Sequence, residues 1–181
     1  MPGRLKSLWE KKVHPVAALA QQAIETYLKS GENIRAPSPL PGFLAEPGNV
    51  FVSLHNVDGS LRGCRGSVMS TESTLADAII KTAIASAIDD PRFPPMNLSE
   101  AEGVKIKVDV LSPLELVMNI NELDEKTYGV FIQSGQRQAL LLPDIQAVNT
   151  VPEQLDLVRR KAGLSPTEPA QLYRFTVTRY Q

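Results

Sequence analysis

The sequence predicts an α+β fold of two related halves that flank a cleft, preceded by one helix. Stretches that alternate every second residue are interspersed with stretches of helical periodicity, and the order hairpin, helix, strand occurs twice. Irregular connections rich in proline and glycine separate these stretches. The 181 residues, 43% of them hydrophobic, suffice for a single domain over residues 1–181 with an ordinary core. The cleft is the expected ligand site.

The N-terminal helix is predicted to begin at Pro15 and to end before Gly31. Its apolar residues recur at helical spacing, and they are Val16, Leu19, Ala20, Ala23, Ile24, Tyr27 and Leu28. Proline suits the first helical position, and glycine suits the left-handed residue after the last turn. Trp9 is expected to anchor the segment in front of this helix to the protein body.

The first half is predicted as a hairpin, a helix and a strand. Its elements are the strands Val50–Leu54 and Leu61–Val68 joined by the turn Asp58-Gly59, a helix over Leu75–Ile88, and the strand Val104–Val110. The helix has a broad apolar face, and we expect Asp77, Lys81 and Ser86 on its opposite side. The last strand alternates cleanly, which is typical of a half-buried strand in an open sheet.

The second half repeats this order. Its elements are the strands Val130–Gln133 and Ala139–Leu142 joined by Ser134-Gly135, a helix through Leu155–Ala162 that stops at Gly163, and the strand Leu172–Thr178. Such a repeat favours a duplicated supersecondary unit.

The stretch Leu61–Gly66, LRGCRG, holds the only cysteine and is the first candidate site. A guanidinium beside a thiol favours the reactive thiolate, so Cys64 and Arg62 are the candidate catalytic residues. Glycine within a strand is usually tolerated for a bulge or for close approach of a ligand or another backbone. The competing interpretation is that Cys64 is a small buried hydrophobic residue.

The same stretch can also be interpreted as an anion cradle. Arg62 and Arg65 would supply forked donors to a phosphate or carboxylate, and Gly63 and Gly66 would expose backbone N–H groups. Alternatively, both arginines are solvated surface charges. The chain has neither a Walker loop nor a dinucleotide fingerprint, so no cofactor is predicted.

A Cys–His dyad is not predicted. His14 precedes the first helix, and the hairpin is expected to place His55 at the opposite end of the strand from Cys64. A role for Cys64 as an acid, a hydrogen-atom donor or a redox group would need no histidine. No zinc-site spacing is present, so no metal site is predicted, although Asp89 and Asp90 leave a carboxylate-held Mg²⁺ open.

A second candidate wall of the site follows the first long helix. It consists of Asp90, Pro91, Arg92 and Phe93 within the segment DDPRFPP. The prolines end the helix and stiffen a turn, and Asp90 can pair with Arg92.

Charge and cysteine usage predict a cytoplasmic protein. The net charge is -1, so the bulk electrostatic footprint of a nucleic-acid-binding protein is missing, although a local basic patch remains open. One cysteine cannot form an internal disulfide, which favours a reducing compartment. The N-terminal stretch does not read as a secretory signal, and no apolar run is long enough to span a membrane.

Six ordered sequence blocks resemble the AMMECR-domain family. They are LRGCRG after a DG turn, DPRFPP, VKIKVDVLSPLE, LLLP, RRKAGL and LYRFTV, and they extend from about the first helix to the C-terminus. The resemblance implies an α+β domain with two subdomains around a cleft lined by the LRGC segment. The family usually has isoleucine where this chain has Arg65.

The resemblance also implies partners. Family members are often encoded with, or fused to, a Memo-like protein, and lie beside a radical SAM enzyme, so we expect this chain to be a component of such a system. The family brings no established activity, and whether the chain is an enzyme stays open. The alternatives are a module that binds a phosphate-bearing small molecule or RNA and a scaffold that docks partner proteins.

Overall fold

The computed structural model describes residues 14–181 and confirms the α+β class. Trp9 lies outside the described residues. In chain order the elements are α1 (Pro15–Ser30), α2 (Gly42–Ala45), β1 (Asn49–His55), β2 (Leu61–Ser67), α3 (Leu75–Ile88), α4 (Leu98–Ala101), β3 (Lys105–Leu111), β4 (Glu115–Leu116), a 3₁₀ turn (Ile120–Glu122), β5 (Gly129–Ser134), β6 (Arg137–Leu141), α5 (Val151–Lys161), β7 (Gln171–Phe175) and β8 (Val177–Tyr180).

The chain divides into two compact units. One comprises the described residues up to Val110 together with Arg179–Gln181, and the other comprises Leu111–Thr178. The strand orders of the two sheets are β2-β1-β3-β8 and β4-β7-β5-β6. In both sheets the first hairpin strand lies between its returning strand and the strand that follows the helix. This shared order confirms the predicted repeat, whereas the cleft between the halves stays a prediction.

The core of the first unit lies between its sheet and two helices. α3 packs on β1 and β2, and α1 packs on α3. α1 has the predicted ends: His14 Nδ1 accepts a hydrogen bond from the Val16 N–H at 3.3 Å, and Gly31 is left-handed with φ of 74°. Alternate residues of β1 and β3, Val52 and Val108 among them, are buried in this core. The opposite face of the sheet, which we call the polar face, carries Ser53, His55, Cys64, Lys107 and Asp109, together with Phe51.

The prediction that Ser86 lies on the side of α3 away from the core is wrong. Ser86 is 1% exposed, and its hydroxyl accepts a hydrogen bond from the Arg65 N–H at 3.1 Å. The same hydroxyl lies 2.9 Å from the Val52 carbonyl oxygen. Val52 and Arg65 are paired residues of the hairpin, so Ser86 bridges the two strands from the helix side. A buried hydroxyl needs such partners to offset its desolvation.

The second unit repeats the arrangement with α5 packed on β5 and β6. Gly163 follows the C-cap residue of α5 and adopts the left-handed conformation with φ of 69°. The single strand predicted over Leu172–Thr178 is wrong, because the chain leaves one sheet at Thr176 and enters the other. There the Thr176 N–H donates to Ser112 Oγ at 2.9 Å, and the Thr176 carbonyl accepts from the Ser112 N–H at 3.0 Å. Within residues 14–181, the structure has no helix with the length and apolarity needed to cross a bilayer.

Candidate functional site

The candidate site is built on β2, an edge strand of the first sheet. Cys64 is partly exposed on the polar face, and its backbone N–H donates to Asp90 Oδ2 at 2.8 Å. An edge strand presents N–H groups that lack a neighbouring strand, and here the loop after α3 supplies an acceptor. The contact brings together two segments that the sequence predicted as opposite walls of one site.

The loop that carries Asp90 is a proline-stabilised β-turn. The Phe93 N–H donates to the Asp90 carbonyl at 3.1 Å, which puts Pro91 and Arg92 at the two central positions. Proline favours the first central position because its φ is fixed, and aspartate favours the preceding one. The Asp90 side chain also accepts from the Arg92 N–H at 3.0 Å, as in an Asx turn. The local sequence therefore fixes the direction of the Asp90 carboxylate.

Asp90 and Arg92 form the predicted ion pair. Arg92 Nε donates to Asp90 Oδ1 at 3.0 Å and Nη2 donates to Oδ2 at 2.7 Å. The Asp90 side chain is only 2% exposed, whereas that of Arg92 is 57% exposed. Hydrogen bonds from the Arg92 side chain, followed by those from the Arg92 and Cys64 backbones, hold the pKa of Asp90 well below its usual range, against the effect of burial. The Asp90 carboxylate therefore stays ionised, and both of its oxygens accept hydrogen bonds.

Arg92 lies within electrostatic range of Cys64. Its hydrogen bonds to Asp90 raise the pKa of Arg92, and electrostatic attraction to Asp90 and to Cys64 adds to the increase, while burial opposes it. Because an electrostatic attraction acts equally on both partners, the Arg92 cation stabilises the thiolate form of Cys64. The sequence argument assigned this effect to Arg62, two residues from the thiol.

Arg62 instead holds the wall behind the site. Its side chain is 10% exposed, Nε and Nη2 donate to Glu100 Oε1 at 3.2 Å, and Nη2 also donates to the Pro94 carbonyl at 3.1 Å. Hydrogen bonds from Asn97, and then from Arg62, hold the pKa of Glu100 below its usual value against burial. Of the three nitrogens of this guanidinium, Nη1 is the one without a hydrogen-bonding partner among the described residues. The catalytic role of Arg62 stays a prediction, and these contacts favour a supporting role.

Phe93 joins the two arginines of this wall. Its ring centroid lies 5.6 Å from Arg92 Cζ and 5.8 Å from Arg62 Cζ, within the range of cation–π contacts. One aromatic ring thus contacts both the buried guanidinium and the exposed one.

The predicted anion cradle, with exposed backbone amides at Gly63 and Gly66, stays a prediction, but the two amides between these glycines are occupied. The Cys64 N–H is bonded to Asp90 and the Arg65 N–H to Ser86. Gly63 is explained by packing: a Cβ there would lie 2.1 Å from the Ser86 carbonyl oxygen. A Cβ on Gly66 would lie 2.2 Å from the Phe51 ring. Both glycines allow close approach of neighbouring protein atoms, which was one of the sequence-based interpretations.

Arg65 lies away from the thiol, beside a groove of about 340 Å³ between the end of β2 and α3. Its guanidinium has no hydrogen-bonding or ion-pair partner within residues 14–181. Lys81 lines the same groove, with its Nζ 2.6 Å from Glu72 Oε1. Ser67, Ser70, Thr71 and Thr82 supply hydroxyl groups to the lining.

His55 lies at the turn end of the hairpin, where it is paired with Leu61, the first residue of β2. His55 Nε2 lies 3.0 Å from Ser53 Oγ, and Ser53 is the residue paired with Cys64 across the hairpin. A register shift between Leu54 and His55 pairs His55 with Leu61, three residues before Cys64. Sequence reasoning also missed Glu100, although the spacing Asn97-x-x-Glu100 is a capping-box signature that the structure contains. No cluster of three or more His, Cys, Asp or Glu residues suited to a metal ion occurs in the described part of the chain.

These features define an α+β protein of two repeated halves that carries a cysteine on an edge strand beside an Asp–Arg pair. The chain belongs to the AMMECR1 family, whose model matches residues 17–181. It is 45% identical over 170 residues to a Thermotoga maritima protein, covering 93% of this chain and 98% of that one. A Clostridium acetobutylicum protein is 36% identical, with 92% of this chain covered but only 36% of the relative.

The fold has a solved counterpart. The crystal structure of an uncharacterised protein from Pyrococcus horikoshii is similar with a TM-score of 0.83 and 35% identity, covering 91% of this chain and 88% of that one.

Proposed function

We propose that this chain is an enzyme subunit whose reacting group is the Cys64 thiolate, and that it works with a Memo-like protein and a radical SAM enzyme. The observation that carries the proposal is the Asp90 carboxylate, which binds the Cys64 N–H with one oxygen and the Arg92 guanidinium with both. One buried group thus fixes the backbone at the thiol and the cation beside it.

The Asp90–Arg92 pair is preorganised to stabilise a negative charge. Asp90 accepts four hydrogen bonds, so it cannot turn away, and Arg92 is held by a bidentate pair that is shorter and stronger than neutral hydrogen bonds. A cation positioned before reaction stabilises a thiolate, or an anionic substrate group next to it, without reorganisation.

The reacting groups are also accessible. Cys64 is partly exposed and more than half of the Arg92 side chain is in contact with solvent. A structural cysteine in a core is inert, whereas reactive cysteines lie in electropositive, partly exposed surroundings. Cys64 has the second kind of environment.

Support for a partner comes from the family. The sequence blocks resemble proteins encoded with, or fused to, a Memo-like protein and found beside a radical SAM enzyme. The chain spans about a third of the Clostridium acetobutylicum relative, so a sequence of this kind also occurs within a longer protein. Co-expression of tagged chain with both partners from one genome tests this part: we expect all three to co-purify, and no complex with either partner would refute it.

Alkylation by iodoacetamide tests the reactive thiol, because the chain has one cysteine. Arg92→Gln should slow alkylation at pH 7 about tenfold, the effect of one unit in thiol acidity. Arg65→Gln is the matched control and should leave the rate unchanged. Equal rates for all three proteins would contradict the role of Arg92, and a Cys64→Ser chain that keeps full activity in cells carrying the complete system would refute a chemical role for the thiol.

A second candidate function is recognition of a phosphate-bearing ligand in the groove beside Arg65. The observation that favours it is the Arg65 guanidinium, which has no hydrogen-bonding or ion-pair partner among the described residues and shares the groove with Lys81 and several hydroxyl groups. A guanidinium fork and hydroxyl donors match phosphate oxygens. Titration with a nucleoside monophosphate should give binding that Arg65→Ala abolishes and Cys64→Ala does not affect. The salt dependence should match about one or two ion contacts, and binding that ignores salt would exclude this function.

A further inference from the structure

A hydroxyl and an imidazole lie beside the thiol on the polar face. His55 Nδ1 is 3.2 Å from the Gly59 carbonyl oxygen, and Nε2 is 3.0 Å from Ser53 Oγ. Both contacts of the imidazole lie within one hairpin, so the strand pairing fixes the positions of the groups that make them. A nucleophile or hydroxyl bonded to a base that a third group orients is the arrangement expected of an activated site.

The carbonyl partner decides where the protons lie. A carbonyl oxygen can only accept, so His55 Nδ1 carries the proton and donates to Gly59. Nε2 of the neutral ring is then an acceptor, and the Ser53 hydroxyl must donate to it. The Ser53 oxygen keeps its lone pairs for a further donor.

Cys64 is in position to be that donor. Ser53 and Cys64 are directly paired in the antiparallel register, and paired residues on one sheet face have Cβ atoms about 4.5–5.5 Å apart. This spacing allows the thiol and the hydroxyl to make contact. The register therefore allows a row in which the thiol donates to the hydroxyl, the hydroxyl to the imidazole and the imidazole to the carbonyl.

We propose that His55 is the proton acceptor for Cys64 and that the Ser53 hydroxyl relays the proton between them. The inference rests on the proposed function and names the base of the same site. In the step, the S–H bond of Cys64 breaks, its proton passes to Ser53 Oγ, and the Ser53 hydroxyl proton passes to His55 Nε2. The products are a thiolate beside Arg92 and an imidazolium held by the Gly59 carbonyl. No electrons are transferred.

Other charged groups at this site are neutralised in pairs or lie on neighbouring strands. Asp90 pairs with Arg92, and Asp109 of β3 pairs with Arg179 of β8 through contacts of 2.7 and 2.9 Å. Lys107 of β3 is on the polar face as well. Because these groups persist in a His55 variant, a change confined to that variant reports on the imidazole.

The pH profile of alkylation of the full chain by iodoacetamide tests the relay. His55→Gln and Ser53→Ala should each slow alkylation about tenfold at pH 7, equivalent to one unit in thiol acidity, and should match the wild-type rate at pH 9.5, where thiols ionise without a base. Ser53→Thr keeps the hydroxyl and should restore the rate. His14→Gln removes the other histidine of the chain and is the matched control.

The outcomes separate this inference from the proposed function. Wild-type rates at pH 7 for His55→Gln and Ser53→Ala would overturn the relay. An equal loss at pH 7 and pH 9.5 would also overturn it, since a base cannot matter once the thiol is ionised. If Arg92→Gln still slows alkylation in that case, the reactive thiol stands without His55. A Cys64→Ser chain with full activity in cells would instead refute the proposed function itself.

Discussion

Replacing Asp90 by asparagine should both destabilise the protein and loosen the site. Asparagine keeps one acceptor oxygen, which can still bind the Arg92 N–H, but its amide puts N–H donors where Oδ2 now accepts from Cys64 and from Arg92 Nη2. A backbone N–H that loses its acceptor costs about 1–3 kcal/mol. The half-exposed ion pair adds about 1 kcal/mol. We therefore expect a loss of about 2–4 kcal/mol in the free energy of unfolding at pH 7.

The loss should depend on pH with a definite sign. The pKa of Asp90 is lowered in the folded state, so its contribution is complete above the unfolded value of about 3.9 and declines as the pH falls toward the folded value. Linkage predicts that the difference in the free energy of unfolding between wild type and Asp90→Asn decreases by about 1 kcal/mol when the pH falls from 7 to 3.

Urea unfolding at a series of pH values measures this gap. Asp89→Asn is the matched control, because Asp89 is exposed and should cost less than about 0.5 kcal/mol. The reasoning fails if Asp90→Asn is as stable as Asp89→Asn at pH 7, or if the gap is the same at pH 7 and pH 3.

Two further predictions concern the packing around the site. In Gly63→Ala the Ser86 carbonyl must move by about 1 Å to make room for the new Cβ, so the variant should lose about 3 kcal/mol or more in the free energy of unfolding and several degrees in Tm. In Gly66→Ala the new Cβ meets the Phe51 ring, which can move, so the loss should be smaller. Equal Tm values for the two variants would contradict this. Arg62→Gln and Glu100→Gln should be coupled by about 1–2 kcal/mol in a double-mutant cycle of unfolding free energies, and additive effects would show that their contact contributes nothing.

The regular elements were predictable because periodicity is a local property. α1 was placed from proline and glycine signals at its two ends, and both hairpins from their turn residues. The strand over Leu172–Thr178 was not divided, because its alternation continues through Thr176. The division depends on hydrogen bonds to Ser112, more than sixty positions away, and no local pattern encodes that contact.

The candidate site was predictable in its parts and not in their connections. The sequence singled out Cys64 and the Asp90–Arg92 segment, but it assigned the nearby cation to Arg62, which is closer along the chain. Which arginine meets the thiol depends on where the turn after α3 lies relative to β2, a tertiary property. Ser86 was predicted on the exposed side of α3 for the same reason. A serine on a helix is usually exposed unless a tertiary contact provides a buried hydrogen-bonding partner.

One glycine connects the packing of the first unit to the chemistry of the thiol. Without a side chain on Gly63, the end of α3 approaches β2 closely enough for Ser86 to bond the Arg65 N–H. The turn that follows α3 then brings Asp90 to the Cys64 N–H, and Asp90 in turn orients Arg92. It follows that Gly63→Ala, studied at a temperature where it remains folded, should slow alkylation of Cys64 as Arg92→Gln does. A folded Gly63→Ala protein with the wild-type rate would show that the helix position and the thiol are independent.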